Sequence, residues 1–189
     1  MKVVLTIAFL IPFFASTCAY AQKASTREKY GNTLNIGIGV GGYAGYYGYY
    51  RRSIPIIGLN YEFQVEKNFT LAPSLGFYSY NDDYYWHDKP HGYPDKYYRY
   101  HETAILPGVK ATYYFDDLLK AGPKWDFYLA ASLGFAFVNS YWDGNRSYNS
   151  HSSQMFLDIH IGTEYHINNR CGIFFDLSTR TSMIGVAIH

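Results

Sequence analysis

Residues 54–65 read IPIIGLNYEFQV. Pro55, Ile57, Leu59, Tyr61, Phe63 and Val65 fall on one side of an extended chain, and Ile56, Gly58, Asn60, Glu62 and Gln64 on the other. Successive side chains of a strand point to opposite faces, so the stretch predicts a strand with one apolar and one mainly small or polar face. The period recurs. In 102–115, Ile105, Pro107, Val109, Ala111, Tyr113 and Phe115 oppose Glu102, Gly108, Lys110 and Thr112. In 155–167, Met155, Leu157, Ile159, Ile161, Tyr165 and Ile167 oppose Asp158, His160, Gly162, Glu164 and His166. Softer alternations at 34–41, 69–77, 126–137, 173–178 and 184–188 bring the expectation to eight strands.

Composition agrees with that reading. The 189 residues are 48% apolar, 20% aromatic and only 16% charged, with 22 Tyr and 17 Gly, which excludes disorder and leans toward β structure. A net charge of +1 gives no basic excess for nucleic acid. Residues 1–21 read as a signal peptide: Lys2 begins it, Val3–Phe14 is a short apolar run broken by Pro12, and Ala19-Tyr20-Ala21 places the cut before Gln22. Lipid anchoring at Cys18 is disfavoured by Thr17 before it and by Ala15 where a Leu is wanted. Cys171 is then alone, so no intramolecular disulfide and no cysteine metal cluster is expected. No later run of about 18 apolar residues offers a membrane helix, so any spanning falls to strands. The expected division is a signal peptide at 1–21, an N-terminal segment at 22–32 and a barrel at 33–189.

The connections alternate in length. Residues 66–68, 116–124 and 168–170 are short or moderate, while 43–53, 81–100 and 139–153 are long and rich in Tyr, Gly, Asp, Asn and His; only the hairpin near Arg180 to Ser182 breaks the rule. That is the layout of an up-and-down barrel with one elaborate mouth. Two orientations compete. A soluble lipocalin-like barrel turns its apolar face inward around a ligand, and a membrane barrel turns it outward. The polar face is crowded with Gly, Ala and Ser, suited to a narrow lumen, and carries far fewer charges than the roughly 25–35% of a solvated surface. Aromatics gather beside the short turns: Tyr61, Phe63, Phe69, Tyr113, Phe115, Phe127 and Tyr165 form an expected girdle at one membrane interface.

With these features the chain resembles the small eight-stranded outer-membrane β-barrels of the OmpA-transmembrane-domain and OmpX type. In its Tyr- and Gly-rich character it resembles the outer-membrane-protein β-barrel-domain proteins of Bacteroidetes-like bacteria. The resemblance spans residues 30–189. It implies an all-β, eight-stranded antiparallel transmembrane barrel with long extracellular loops and short periplasmic turns. Lipid, lipopolysaccharide and the barrel-assembly machinery are the implied partners, and the implied role is structural or at the surface. The family's last strand usually ends in Phe or Trp; here Ile184, Val186 and Ile188 alternate but the sequence ends in His189.

An eight-stranded barrel is just wide enough for side chains to fill it. The expected lumen charges are Glu62, Lys110, Asp158, Glu164, Asp176 and Arg180. Ile167 and Cys171 share a face, and that register sets Asp158 opposite Arg180, where an ion pair is expected; Lys110 is expected to bridge Glu62 or Glu164. Such charges make either a gated polar path or a plug of paired groups. In the long connections, Tyr46, Tyr47, Tyr49, Tyr50, Arg51 and Arg52, with Trp86, His87 and His91, are expected contact residues, the arginines toward lipopolysaccharide phosphates or a surface partner. His87, Asp88, His91, Asp95 and His101 match no rigid metal-site spacing, so no metal and no cofactor is expected. The rival class is an outer-membrane lipid-modifying enzyme. His151, Ser152 and Ser153 near Asp143 do not define a triad, and its discriminator is a Ser–His–carboxylate chain held by strands.

Overall fold

The computed structural model describes residues 30, 32–41, 54–86, 96–120, 122–143 and 148–189. The strands are β1 (Thr33–Gly41), β2 (Ile54–Glu66), β3 (Phe69–Trp86), β4 (Lys96–Tyr114), β5 (Trp125–Asp143), β6 (Tyr148–Asn168), β7 (Cys171–Ser178) and β8 (Thr181–Ile188), with one helical turn, α1 (Asp116–Leu119), between β4 and β5. Each strand pairs antiparallel with its sequence neighbours, and β1 pairs with β8 from Leu34↔Ile188 to Gly41↔Thr181, closing the barrel. Closure leaves the membrane part of the sheet without a free edge, as a hydrocarbon environment requires.

The period of two decides the faces. Ile36, Ile38, Leu59, Leu75, Leu133, Phe135, Ile159, Phe175 and Ile184 lie outward and exposed, while Ala72, Ala104, Ala130, Ala187 and a set of Tyr and acidic side chains lie inward and buried. An apolar belt of this size is unstable in water and stable in lipid. The soluble ligand-binding alternative fails on this point, because its apolar face would line the interior. Small residues make room inside: a Cβ on Gly37 or Gly185 would overlap the Phe174 ring, which lies across the β1–β8 seam.

Strand lengths are uneven. β3 to β6 run 18, 19, 19 and 21 residues, against 9, 8 and 8 for β1, β7 and β8. The long connections expected at 81–100 and 139–153 are therefore largely strand: β3 and β4 stay paired out to Trp86↔Lys96, and β5 and β6 out to Trp142↔Tyr148. Beyond the lipid belt neither face needs to be apolar, so the alternation fades while the backbone ladder continues. Phe115 is corrected as well. It leaves the strand to precede α1, which ends in the left-handed conformation at Lys120, φ 51°.

The expected signal peptide and the contact residues Tyr46, Tyr47, Tyr49, Tyr50, Arg51, Arg52, His87 and His91 lie outside the described residues. Trp86 ends β3.

Candidate functional site: the filled lumen

The interior is built in tiers. Near the long-strand end, Glu102 on β4 accepts hydrogen bonds from the hydroxyls of Tyr100 and of Tyr78, the latter at 2.8 Å. Below it Ile56, Leu106, Val138 and Phe156 pack with Tyr78, Ala104 and Ala136 into a buried apolar cluster. At mid-height lies a polar network. Lys110 Nζ donates to Asp176 Oδ2 at 2.6 Å, and Tyr128 OH donates to the same oxygen at 3.1 Å. Asp176 Oδ1 is 2.8 Å from His160 Nδ1, and His160 Nε2 is 2.9 Å from Ser132 Oγ. Lys110 also lies 4.9 Å above the Tyr128 ring. Nearer the turns, Glu62 accepts from Asn35 Nδ2 (2.8 Å), Thr70 Oγ1 (2.6 Å) and Tyr114 OH (2.8 Å). Tyr30 stacks on Tyr114 with centroids 4.2 Å apart and donates to Asp116, so the segment before β1 reaches into the turn-side mouth.

Two expected pairings are corrected. Arg180 does not bring its guanidinium to Asp158. The register is as expected, with His160↔Ser178 and Ile161↔Leu177, but β7 stops at Ser178, so position 180 falls in the turn. There Asp158 caps the turn, accepting from Ser178 Oγ (2.9 Å), Thr179 Oγ1 (2.7 Å) and the Arg180 backbone N–H (3.0 Å). The Arg180 side chain leaves the lumen and donates Nε to the Leu157 carbonyl at 3.0 Å. Lys110 bridges neither Glu62 nor Glu164. It reaches Asp176, while Glu62 accepts from three neutral donors and Glu164 Oε1 is held by His189 Nε2 at 2.7 Å.

The lumen is thus acidic rather than charge-balanced. Glu62, Glu102, Asp126, Asp158, Glu164 and Asp176 are all buried, and Lys110 is the one buried lysine or arginine among the described residues. Most of these carboxylates are stabilised by hydroxyl, amide or imidazole donors. Charge-assisted hydrogen bonds of this kind offset desolvation without a counter-ion.

Of the girdle residues, Tyr61 and Tyr113 stand exposed on the outer face and Phe63, Phe69, Phe115, Phe127 and Tyr165 are half-buried. Tyr61 meets Phe63 edge-on at 4.8 Å. Trp125, which the sequence reading missed, joins Phe127 at 6.1 Å and Tyr165 at 4.9 Å. Its outward parity with Phe127 was the available signal.

Ser132, His160 and Asp176 have the connectivity of a nucleophile–base–acid chain, held on strands β5, β6 and β7. Geometry limits what it does. All three are buried, Asp176 is shared with Lys110, and the adjoining cavity of about 80 Å³ holds a few waters and not an acyl chain. His151, the histidine of the enzyme reading, is exposed on β6 and paired across from Asn139.

No family model matches this chain, and no curated protein does. Solved structures match its fold. The N-terminal β-barrel domain of Pseudomonas aeruginosa OprF is similar with a TM-score of 0.51 and 16% identity, over 84% of this chain and 96% of that one. Ail, the attachment invasion locus protein of Yersinia pestis, solved with the heparin analogue sucrose octasulfate, is similar with a TM-score of 0.50 and 11% identity, over 84% and 98%. With its outward apolar belt and closed ladder, the chain has the fold of the small eight-stranded outer-membrane β-barrels. Its apolar belt faces lipid and its strands cross the bilayer.

Proposed function

We propose that the protein is a closed structural and surface-interaction barrel of the outer membrane, serving adhesion or envelope integrity rather than diffusion of solutes. One observation carries this reading: the lumen is interrupted by the Ile56–Leu106–Val138–Phe156 layer, and the polar groups beneath it are committed to one another. An apolar constriction excludes hydrated ions even where polar chambers flank it. The reading predicts no stable large openings when the purified protein is inserted in planar bilayers; steady conductance from the wild-type chain would overturn it. A fluorophosphonate probe is expected to leave Ser132 unlabelled, and labelling there would revive the enzyme reading.

Export through a cleaved segment ending at Ala21 fits this location, with Gln22 as the expected first residue by N-terminal sequencing of the membrane form. The surface role is assigned to the Tyr-rich connections with Arg51, Arg52, Trp86, His87 and His91, contacting lipopolysaccharide or an extracellular partner, after insertion by the barrel-assembly machinery. Attachment in the name of a similarly folded protein agrees with such a role. Replacing 43–53 with a short Gly-Ser turn should abolish cell-surface or lipopolysaccharide binding while leaving the barrel folded; unchanged binding would count against it.

A further inference from the structure

At the turn-side mouth three side chains from two strands converge. Glu164 and His166 share the inward face of β6, and His189 follows β8 on its inward side. Glu164 Oε1 lies 2.7 Å from His189 Nε2 and 3.7 Å from His166 Nδ1, and the three candidate ligand atoms all fall within 4.8 Å of one another. β7 stands between these strands, and at this level it carries Gly172, register partner of both His166 and Ala187. A Cβ at Gly172 would overlap the Glu164 carboxylate, so the missing side chain is what lets Glu164 reach His189.

We propose that Glu164, His166 and His189 bind a borderline divalent cation of the Zn²⁺ class. Two imidazoles and one carboxylate suit Zn²⁺, Co²⁺, Ni²⁺ or Cu²⁺ better than Mg²⁺ or Ca²⁺, which take oxygen. Ligand bonds of about 2.0–2.2 Å to a tetrahedral or octahedral ion place ligand atoms roughly 3–3.5 Å apart. The present separations straddle that range, so small side-chain rotations admit an ion in place of the His189–Glu164 hydrogen bond. The outer contacts are those of a metal-orienting shell. His166 Nε2 meets Asp126 Oδ2 at 2.7 Å, which leaves Nδ1 to face the cluster, and His189 Nδ1 meets Thr33 Oγ1 at 2.9 Å. Carboxylate and hydroxyl partners on the far ring nitrogen fix imidazole orientation in just this way. Glu164 is buried while both imidazoles are partly open, so an ion has a route in and a free position for water or another ligand. The bound ion ties β6 to the seam strand β8 and, through Thr33, to β1.

The test uses the whole mature chain refolded in detergent micelles. Titration with Zn²⁺ should show one saturable site, and Co²⁺ should give visible absorption of a nitrogen-ligated ion. E164Q, H166Q and H189Q should each weaken binding at least tenfold, and D126N by about 10–100-fold. The H87Q/H91Q/H101Q/H151Q variant removes histidines elsewhere and should bind like wild type. Zn²⁺ should also protect His166 and His189 of the wild-type protein from diethyl pyrocarbonate, a readout that survives if a variant fails to insert. Absence of both saturable binding and protection overturns the proposal, as does binding lost with the four remote histidines and kept in H166Q and H189Q.

Discussion

Lys110→Met tests the central network most directly. The Lys110 and Asp176 side chains are 8% and 4% exposed, and their contact is 2.6 Å. Removing one partner of a buried ion pair costs about 3–5 kcal/mol, because the other charge stays behind undercompensated. The two halves of this pair differ. Without Lys110, Asp176 keeps Tyr128 OH at 3.1 Å and His160 Nδ1 at 2.8 Å, so K110M belongs at the lower end, about 3 kcal/mol or roughly a hundredfold in the unfolding constant. Without Asp176, Lys110 keeps the face of the Tyr128 ring, so D176L belongs near the upper end, about 5 kcal/mol. The double variant K110M/D176L removes both charges and should recover most of the loss, leaving a favourable coupling of a few kcal/mol. Urea unfolding in lipid vesicles, followed by tryptophan fluorescence and by the folded band on unheated gels, gives all three values. A K110M penalty under about 1 kcal/mol, or a double variant equal to the sum of the singles, would refute a dry, committed lumen.

Three further outcomes follow from named contacts. D158A removes the acceptor of Ser178, Thr179 and the Arg180 N–H and should cost about 2–3 kcal/mol by the same unfolding assay, whereas R180A loses one exposed hydrogen bond and should cost about 1 kcal/mol or less; equal losses would restore the ion-pair reading. G162A sets a methyl against the buried Tyr128 ring, where overpacking costs about 1–3 kcal/mol, and a neutral result would mean that the ring is free to move. L133R puts a charge on the outer face at mid-strand and should cost about 2–4 kcal/mol in a bilayer; tolerance there would contradict lipid contact.

The sequence carried the faces better than the ends. Alternation at Ile57/Leu59/Tyr61 and Leu157/Ile159/Ile161 is forced wherever one side meets lipid, and the Cys171–Ile167 parity argument gave the β6–β7 register from His160↔Ser178 to His166↔Gly172, although a bulge beside the turn pairs Cys171 with Asn168 instead of Ile167. Residues 78–86 and 96–100 hid their strand character because Tyr, Asp and Asn there interrupt the apolar alternation of the sequence. In the lumen, which groups lie inside was legible from parity, but which meet was not. Lys110 found Asp176 across the barrel, and Arg180 was lost to a turn that begins two residues too early, both set by strand length and shear rather than by pattern. His166 already stood on the polar face of the 155–167 pattern, and His189 shares the parity of the buried Ala187, so both were legible as inward residues and only their meeting was not.

The unequal strand lengths have one more effect. Above Ser178, β7 ends while β6 continues to Tyr148, so among the described residues the upper part of β6 is a sheet edge on that side. The first of its backbone groups are not left open. The Ile159 carbonyl takes the Thr179 N–H at 3.1 Å, the Ile159 N–H meets Thr179 Oγ1 at 3.4 Å, and the Leu157 carbonyl takes Arg180 Nε. A two-residue hairpin tip thus stands in for a missing strand, and its guanidinium, too bulky and too charged to stack on, guards the point where another chain would begin to add. Neutralising Arg180 would change how this protein meets other extended chains before it changed the barrel itself.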